Sequence, residues 1–181
     1  TLGAQARHAR VALGLGQLQA IDNDPELAWR LARREAYDSL SALVQATQRS
    51  LAEPRAVRPP LAPLGLLLAH SYQLLAQLTA VKSMLLLRRD RLQPEQIRQP
   101  LQQAALSIEQ TLQQAGGAAV AAAEAAPGPV LLPDPFESDL SPWLLRRLEL
   151  ATRLAGQLRQ DADQVLAPPA RAKPAAAAEQ D

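Results

Sequence analysis

The stretch LGLLLAHSYQLLAQLTAVKSMLLLRRDRL, residues 64–92, is the most apolar part of this 181-residue chain. Between residues 61 and 81, His70 is the only Asp, Glu, Lys, Arg or His. The nine Leu and Val residues between positions 61 and 81 favour membrane insertion by about 4–5 kcal/mol in total. His70 and the neighbouring serine and glutamines oppose insertion by roughly 1–3 kcal/mol each if they are unpaired. These terms nearly cancel, so we expect the central core helix of a bundle and keep a membrane span as the alternative.

The segments around this stretch also have helical patterns. Asp24-Pro25 and Ser141-Pro142 each place a capping side chain before a proline, which is typical of a helix start. Residues 1–20 are rich in Ala, Leu, Gln and Arg, although three glycines weaken this helix by about 1 kcal/mol each. Apolar residues then recur mostly at steps of three and four in the remaining segments, for example at Ala36, Leu40 and Leu51 and in the stripe from Leu144 to Val165. The predicted helices besides 64–92 span residues 1–20, 25–52, 95–115 and 142–166.

The composition favours the same fold. Hydrophobic residues make up 48% of the chain and aromatic residues 3%, with many Leu, Ala, Gln and Arg, which lose little rotamer freedom in a helix. We therefore predict an all-α antiparallel bundle of four or five long helices in one domain, residues 1–166. The Ala/Pro/Gly-rich segment 116–139 is predicted to be a flexible loop, and the Ala/Pro-rich tail 167–181 to be disordered.

Several classes of function are disfavoured. The net charge is +1 and no aromatic residues alternate with basic ones, which argues against a nucleic-acid partner. The absence of cysteine excludes disulfides and thiolate chemistry. His8 and His70 lack the Glu three residues earlier that di-iron bundles use. We therefore predict a protein that is not an enzyme, with no catalytic residues, no cofactor and no metal site.

Three basic clusters are the candidate ligand or interaction sites. If the clusters converge, their guanidinium groups suit an organic acid or anionic lipid headgroups, because arginine binds carboxylates and phosphates with two hydrogen bonds. The simpler alternative is a set of solvated helix faces paired with nearby acids. The clusters are Arg33-Arg34, Arg88-Arg89-Arg91 and Arg146-Arg147; the candidate site residues are Arg33, Arg34, His70, Arg88 and Arg89.

His70 and two acidic pairs also have simple structural interpretations. For His70 we favour a hydrogen-bonded, partly buried side chain over a proton-linked or ligand-binding role. Asp22 and Asp24 are best explained by capping and by the helix dipole. Asp161 and Asp163, late in a predicted helix, are expected to lie on a solvated face.

Two segments resemble the fusaric-acid-resistance (FUSC) family of inner-membrane proteins. The first is LARREAYDSLSAL, residues 31–43, which continues to QRSLAEP at 48–54. The second is LLAHSYQLLAQLTA, residues 67–80. The resemblance covers roughly residues 24–92, and the long Ala/Pro loop and tail depart from it.

The resemblance implies a soluble helical region on the cytoplasmic side of the bacterial inner membrane, in a protein that exports aromatic carboxylic acids. Its implied partner is the transmembrane part of the same protein, and it supplies no catalytic residues. We also expect further copies of the chain as partners in a homo-oligomer. We expect a role in assembly or regulation, through an exposed apolar helix face. The alternatives are a ligand-sensing bundle that binds a small aromatic acid and a generic protein-interaction bundle.

Overall fold

The computed structural model describes residues 1–14, 23–54, 61–114 and 138–167, without the side chains of 23–25. The predicted all-α fold is confirmed, since these residues form five α-helices and one short 3-10 helix, with no strand among them. The predicted loop and tail lie almost entirely outside the described residues. The helices are α1 (Leu2–Ala12), α2 (Asn23–Leu51), α3 (Leu61–Leu87), α4 (Pro94–Gln113) and α5 (Ser141–Leu166).

The most apolar helix, α3, is shifted toward the N-terminus relative to the predicted 64–92. It begins at Leu61, so Pro63 lies in its first turn, where the missing N–H removes no intrahelical hydrogen bond. It ends at Leu87 and is followed by the 3-10 helix Arg89–Arg91. Leu92 and Gln93 are extended, as expected immediately before Pro94.

Four of the helices form a closed ring around one core. α3 packs against α5, α5 against α4, α4 against α1, and α1 against α3. The second helix lies outside this ring, against α1 and α3. The predicted stripe of α5 is buried as expected from its 4–3 spacing, with Val165 partly buried; its fully or almost fully buried members are Leu144, Leu148, Ala151, Ala155, Leu158 and Ala162.

Polar contacts fix the helix directions. Thr1 and Arg7 of α1 bond to Ser39 and Glu35 of α2, so these two helices are antiparallel. His70 pairs with Asp161, whereas Leu140 N–H donates to the Arg91 carbonyl, so α3 and α5 are antiparallel as well. Lys82 near the end of α3 pairs with Glu26 near the start of α2, so α2 and α3 are also antiparallel.

The starts of α4 and α5 lie at the same end of the bundle. The Gln93 N–H donates to Ser141 Oγ at 2.8 Å, which joins the two helix starts directly. Because both helices begin there, they run in the same direction. Ser141 is thus not the capping residue that the sequence predicted, since α5 has Leu140 at its N-cap and no side-chain cap. Instead, Asp139 accepts a hydrogen bond from the Ser141 N–H.

Candidate functional site

One face of α3 carries mostly apolar or small side chains, with Gln73 as a polar exception, and is exposed along the length of the helix. Leu66 is 48% exposed and Leu87 is 69% exposed, and a Cβ placed on Gly65 would meet nothing within 4 Å. The positions on this face alternate steps of four and three, the spacing at which one helix packs along another. We call them the α3 outer face: Ala62, Leu66, Ala69, Gln73, Ala76, Ala80, Ser83 and Leu87, all exposed except Ala80, which is half-buried.

The same helix is long and apolar enough to cross a membrane. Its 27 residues include an 18-residue window with a mean hydropathy of 1.3, of which 39% is buried in the bundle. The inner face supplies the bundle core with leucines, whereas a charge-free outer face remains in solvent. The structure of α3 is therefore compatible with both interpretations of the sequence, a core helix of the bundle and a membrane span.

His70 links α3 to α5. Its Nδ1 lies 2.6 Å from a carboxylate oxygen of Asp161, and the two side chains are 20% and 8% exposed. This is the partly buried, hydrogen-bonded histidine that the sequence favoured. The expectation of a solvated Asp161 was wrong, because α5 turns this carboxylate toward α3, whereas Asp163 pairs with Arg159 on its own helix.

Arg33 and Arg34 are adjacent in sequence but have different environments. Arg33 lies half-buried on α2, with its guanidinium 5.3 Å from the centre of the Trp29 ring and 5.4 Å from that of Tyr37. Arg34 is exposed and pairs with Asp38 at 3.7 Å. Of these two residues, only Arg33 faces the interior.

The second arginine cluster lies away from His70. Arg88 is exposed and Arg89 is half-buried, both just beyond the C-terminal end of α3. Eighteen residues separate His70 from Arg88, a distance of about 27 Å along a helix axis. The structure therefore does not assemble His70 and Arg88 into one site. In the third cluster, Arg147 stacks on Trp143 at 4.0 Å and donates to Gln77 of α3.

The outer helix α2 is attached to α3 by a buried cation. Lys82 of α3 is 4% exposed and lies 3.3 Å from Glu26 of α2. Its ammonium also lies 5.4 Å from the centre of the Trp29 ring, so Trp29 has Lys82 and Arg33 as cationic neighbours. These contacts hold the N-terminal half of α2 against the ring of helices.

Sequence reasoning missed a buried polar pair on α1. Gln5 and His8 are both 0% exposed, although α1 otherwise contributes mainly alanines to the core. Burial lowers the pKa of His8 to about 4, and the nearby positive charge of Arg33 adds to this effect. The signal in the sequence was the spacing of His8 by four residues from Ala4 and Ala12, which puts it on the inner face.

An open groove of about 400 Å³ lies between the parallel helices α4 and α5, with Pro100 at one edge. Its one charged residue, Glu149, already pairs with Arg146 and Arg153. In the described ranges, no group of three or more His, Cys, Asp or Glu side chains is placed to hold a metal ion.

These observations define an all-helical bundle with one exposed apolar helix face and one buried polar cluster. No protein-family model, curated protein or solved structure matches the chain. The resemblance to the FUSC family therefore stays a prediction from the sequence.

Proposed function

We propose that the chain is a non-enzymatic assembly domain that joins copies of the same protein through the α3 outer face. The observation that supports this is the exposure of a charge-free stripe with helix-packing spacing on the most apolar helix of the chain. Exposed apolar patches of this kind are typical of interaction sites rather than of solvated surfaces.

The chemistry of this face suits a second copy of itself. The stripe contains no Asp, Glu, Lys or Arg, so two copies meet without burying an unpaired charge. Its small side chains, such as Ala69 and Ala76, allow two helix backbones to approach closely. A two-fold interface requires such self-complementarity, because each residue faces the same surface on the partner.

In the setting that the resemblance implies, the partner copies are subunits of an inner-membrane exporter of aromatic carboxylic acids. The domain then lies on the cytoplasmic side and regulates or stabilises the assembly of the transmembrane parts. The length and hydropathy of α3 are also compatible with contact to those apolar parts. No enzymatic activity is part of the proposal.

Light scattering of the full chain tests the assembly role. We expect an oligomer that dissociates in Ala69→Glu and Ala76→Glu, because each buries a carboxylate at the interface. The matched control is Ala42→Glu, at an exposed alanine of α2 outside the stripe, which should leave the oligomer intact. A native chain that is monomeric at all concentrations, both alone and attached to a membrane-embedded part, would exclude the assembly role.

Cross-linking adds a positional readout, because the chain contains no cysteine. Ala76→Cys should give covalent dimers with a short bis-maleimide, and Ala42→Cys should give only background. Equal yields at the two positions would show that contacts between copies do not use the α3 outer face. Binding of the native chain to lipid vesicles, lost in Ala76→Glu while the chain stays monomeric, would favour a membrane surface instead.

A further inference from the structure

The side chains of the α3 outer face form two rows of different size. In the first row, which we call the small row, every residue is alanine or serine. The second row, the mixed row, has exposed leucines at both ends, Leu66 at 48% and Leu87 at 69%. A second copy on this face therefore has to fit large side chains against small ones. The small row is Ala62, Ala69, Ala76 and Ser83, and the mixed row is Leu66, Gln73, Ala80 and Leu87.

An antiparallel second copy places the mixed row of each helix against the small row of the other. In the register that puts Leu66 against the partner's Ser83, Leu87 meets the partner's Ala62. All eight positions of the face are then paired, whereas a shift by seven residues leaves two of them without an opposite position. The remaining layers of this register pair Ala69 with Ala80 and Gln73 with Ala76.

A parallel second copy instead places each residue against its own equivalent. Leu66 then meets a second leucine, whereas one turn further Ala69 meets a second alanine. The distance between two helix axes depends on the side chains at the contact, and two leucines require a wider distance than two alanines. A straight helix keeps one distance, so the alanine layers would contain voids and lose their contacts. The antiparallel arrangement avoids this, because each leucine is paired with a small residue.

The charge at the end of α3 favours the same arrangement. Arg88 is exposed and directly follows Leu87. In a parallel pair the Arg88 side chains of the two copies lie side by side, and like charges in an interface repel each other. In an antiparallel pair Arg88 lies at the level of the partner's Leu61, about 40 Å along the helix from the second arginine. The repulsion between the two arginines is then negligible.

Gln73 is the polar amide of the face, and the antiparallel register gives it a partner. The two central layers pair Gln73 with Ala76, so the glutamines of the two copies lie on either side of the two-fold axis. They are three residues apart along the helices, within reach of each other. An amide both donates and accepts hydrogen bonds, so the two glutamines can pair with each other when water is excluded.

We propose that the second copy binds the α3 outer face in the antiparallel orientation, with Leu66 against the partner's Ser83. This inference rests on the assembly role proposed above and adds the orientation and the register of the two copies. The two-fold axis then crosses α3 at right angles between Gln73 and Ala76, and the two contacting surfaces are identical.

Disulfide formation tests the orientation, because the native chain has no cysteine. The double variant Leu66→Cys/Ser83→Cys should form disulfide-linked dimers on mild oxidation, since the two positions face each other across the interface. Leu66→Cys alone should not, because its equivalents lie about 25 Å apart in an antiparallel pair. Leu106→Cys, at an exposed position of α4, gives the background yield.

The outcomes separate this inference from the assembly role. Disulfide dimers of Leu66→Cys alone would show a parallel pair and overturn the proposed orientation. Background yield for the double variant, while Ala76→Cys still gives dimers with a bis-maleimide, would overturn the register and leave the assembly role in place. Background yield at Ala76 as well would remove the assembly role, and the orientation with it.

Exchange of side-chain volume gives a second readout, measured as the dimer dissociation constant by light scattering. Leu66→Ala should weaken the dimer at least about tenfold, because both copies lose a buried leucine. Adding Ser83→Leu returns a leucine to the same layer from the opposite helix and should restore most of the affinity. The matched control adds Ala69→Leu instead, in the layer of the partner's Ala80, and should not restore it. Equal recovery in both would contradict the register.

Discussion

The α3–α5 interface is packed with large leucines, whereas α1 packs against the same bundle with alanines and two buried polar residues. Leu74 and Leu78 of α3 and Leu144 and Leu158 of α5 are all 0% exposed, and each buried leucine contributes about 1.5–3 kcal/mol. The first helix contributes alanines together with Gln5 and His8, whose buried polar atoms form no hydrogen bond among the described residues. The comparison indicates that α3 and α5 bury larger apolar side chains than α1, whose buried histidine makes its packing sensitive to pH.

The largest expected effect is at the centre of the leucine interface. Leu74→Ala should lower the free energy of unfolding by about 2–5 kcal/mol, because it removes buried methyl groups and leaves a cavity. Urea denaturation followed by circular dichroism measures the change. The matched control is Leu66→Ala on the α3 outer face, which should change the stability by less than about 0.5 kcal/mol in the monomer. Similar losses for both variants would contradict the assignment of inner and outer faces.

The next effect is acid destabilisation through α1. Burial lowers the pKa of His8 from 6.5 to about 4 in the folded chain. Above pH 6.5 His8 is therefore neutral in both the folded and the unfolded chain, and the free energy of unfolding has its full value. The free energy of unfolding falls by about 3 kcal/mol in total as the pH drops from 6.5 to 4. In this range the unfolded chain binds a proton at His8 and the folded chain does not. Denaturation across this pH range in carboxylate-free buffer measures it.

His8→Leu is the control for this pH effect. It should flatten the stability profile between pH 6.5 and pH 4, because no buried imidazole remains to titrate. A profile that stays as steep as in the native chain would assign the acid sensitivity to other groups.

The smallest expected effect concerns the hydrogen bond between His70 of α3 and Asp161 of α5. A double-mutant cycle with His70→Ala and Asp161→Ala should give a coupling energy of about 1 kcal/mol, as expected for one partly buried hydrogen bond. Denaturation of the two single variants and the double variant measures it. Additive losses would show that the 2.6 Å contact contributes nothing to stability.

Much of the secondary structure was predictable because helix spacing is a local property. The buried stripe of α5 follows the predicted spacing from Leu144 to Ala162. The errors lie at helix ends: α3 begins at Leu61 because proline is tolerated in a first turn, and it ends before Arg88. In α2, Ala36 and Leu40 of the predicted apolar stripe are buried, but Leu51 is 48% exposed.

The candidate site was predictable only in part. The sequence singled out Arg33 and His70, but gave no means to tell Arg33 from Arg34 before the faces of α2 were known. It assigned Asp161 to solvent, because the partner that covers it lies 91 positions away in the chain. It also gave His8 no role, although the spacing of His8 from Ala4 and Ala12 puts it on the inner face of α1.

The sequence by itself determined that this chain is helical, which segments form the helices and that α3 is the most apolar of them. These properties follow from side chains three or four residues apart. The tertiary structure decided that α2 lies outside the ring, that α4 and α5 share a direction and that the charge of Arg33 lies near enough to His8 to lower its pKa. Such features depend on which helix covers which face, and that is set by contacts between residues distant in the chain.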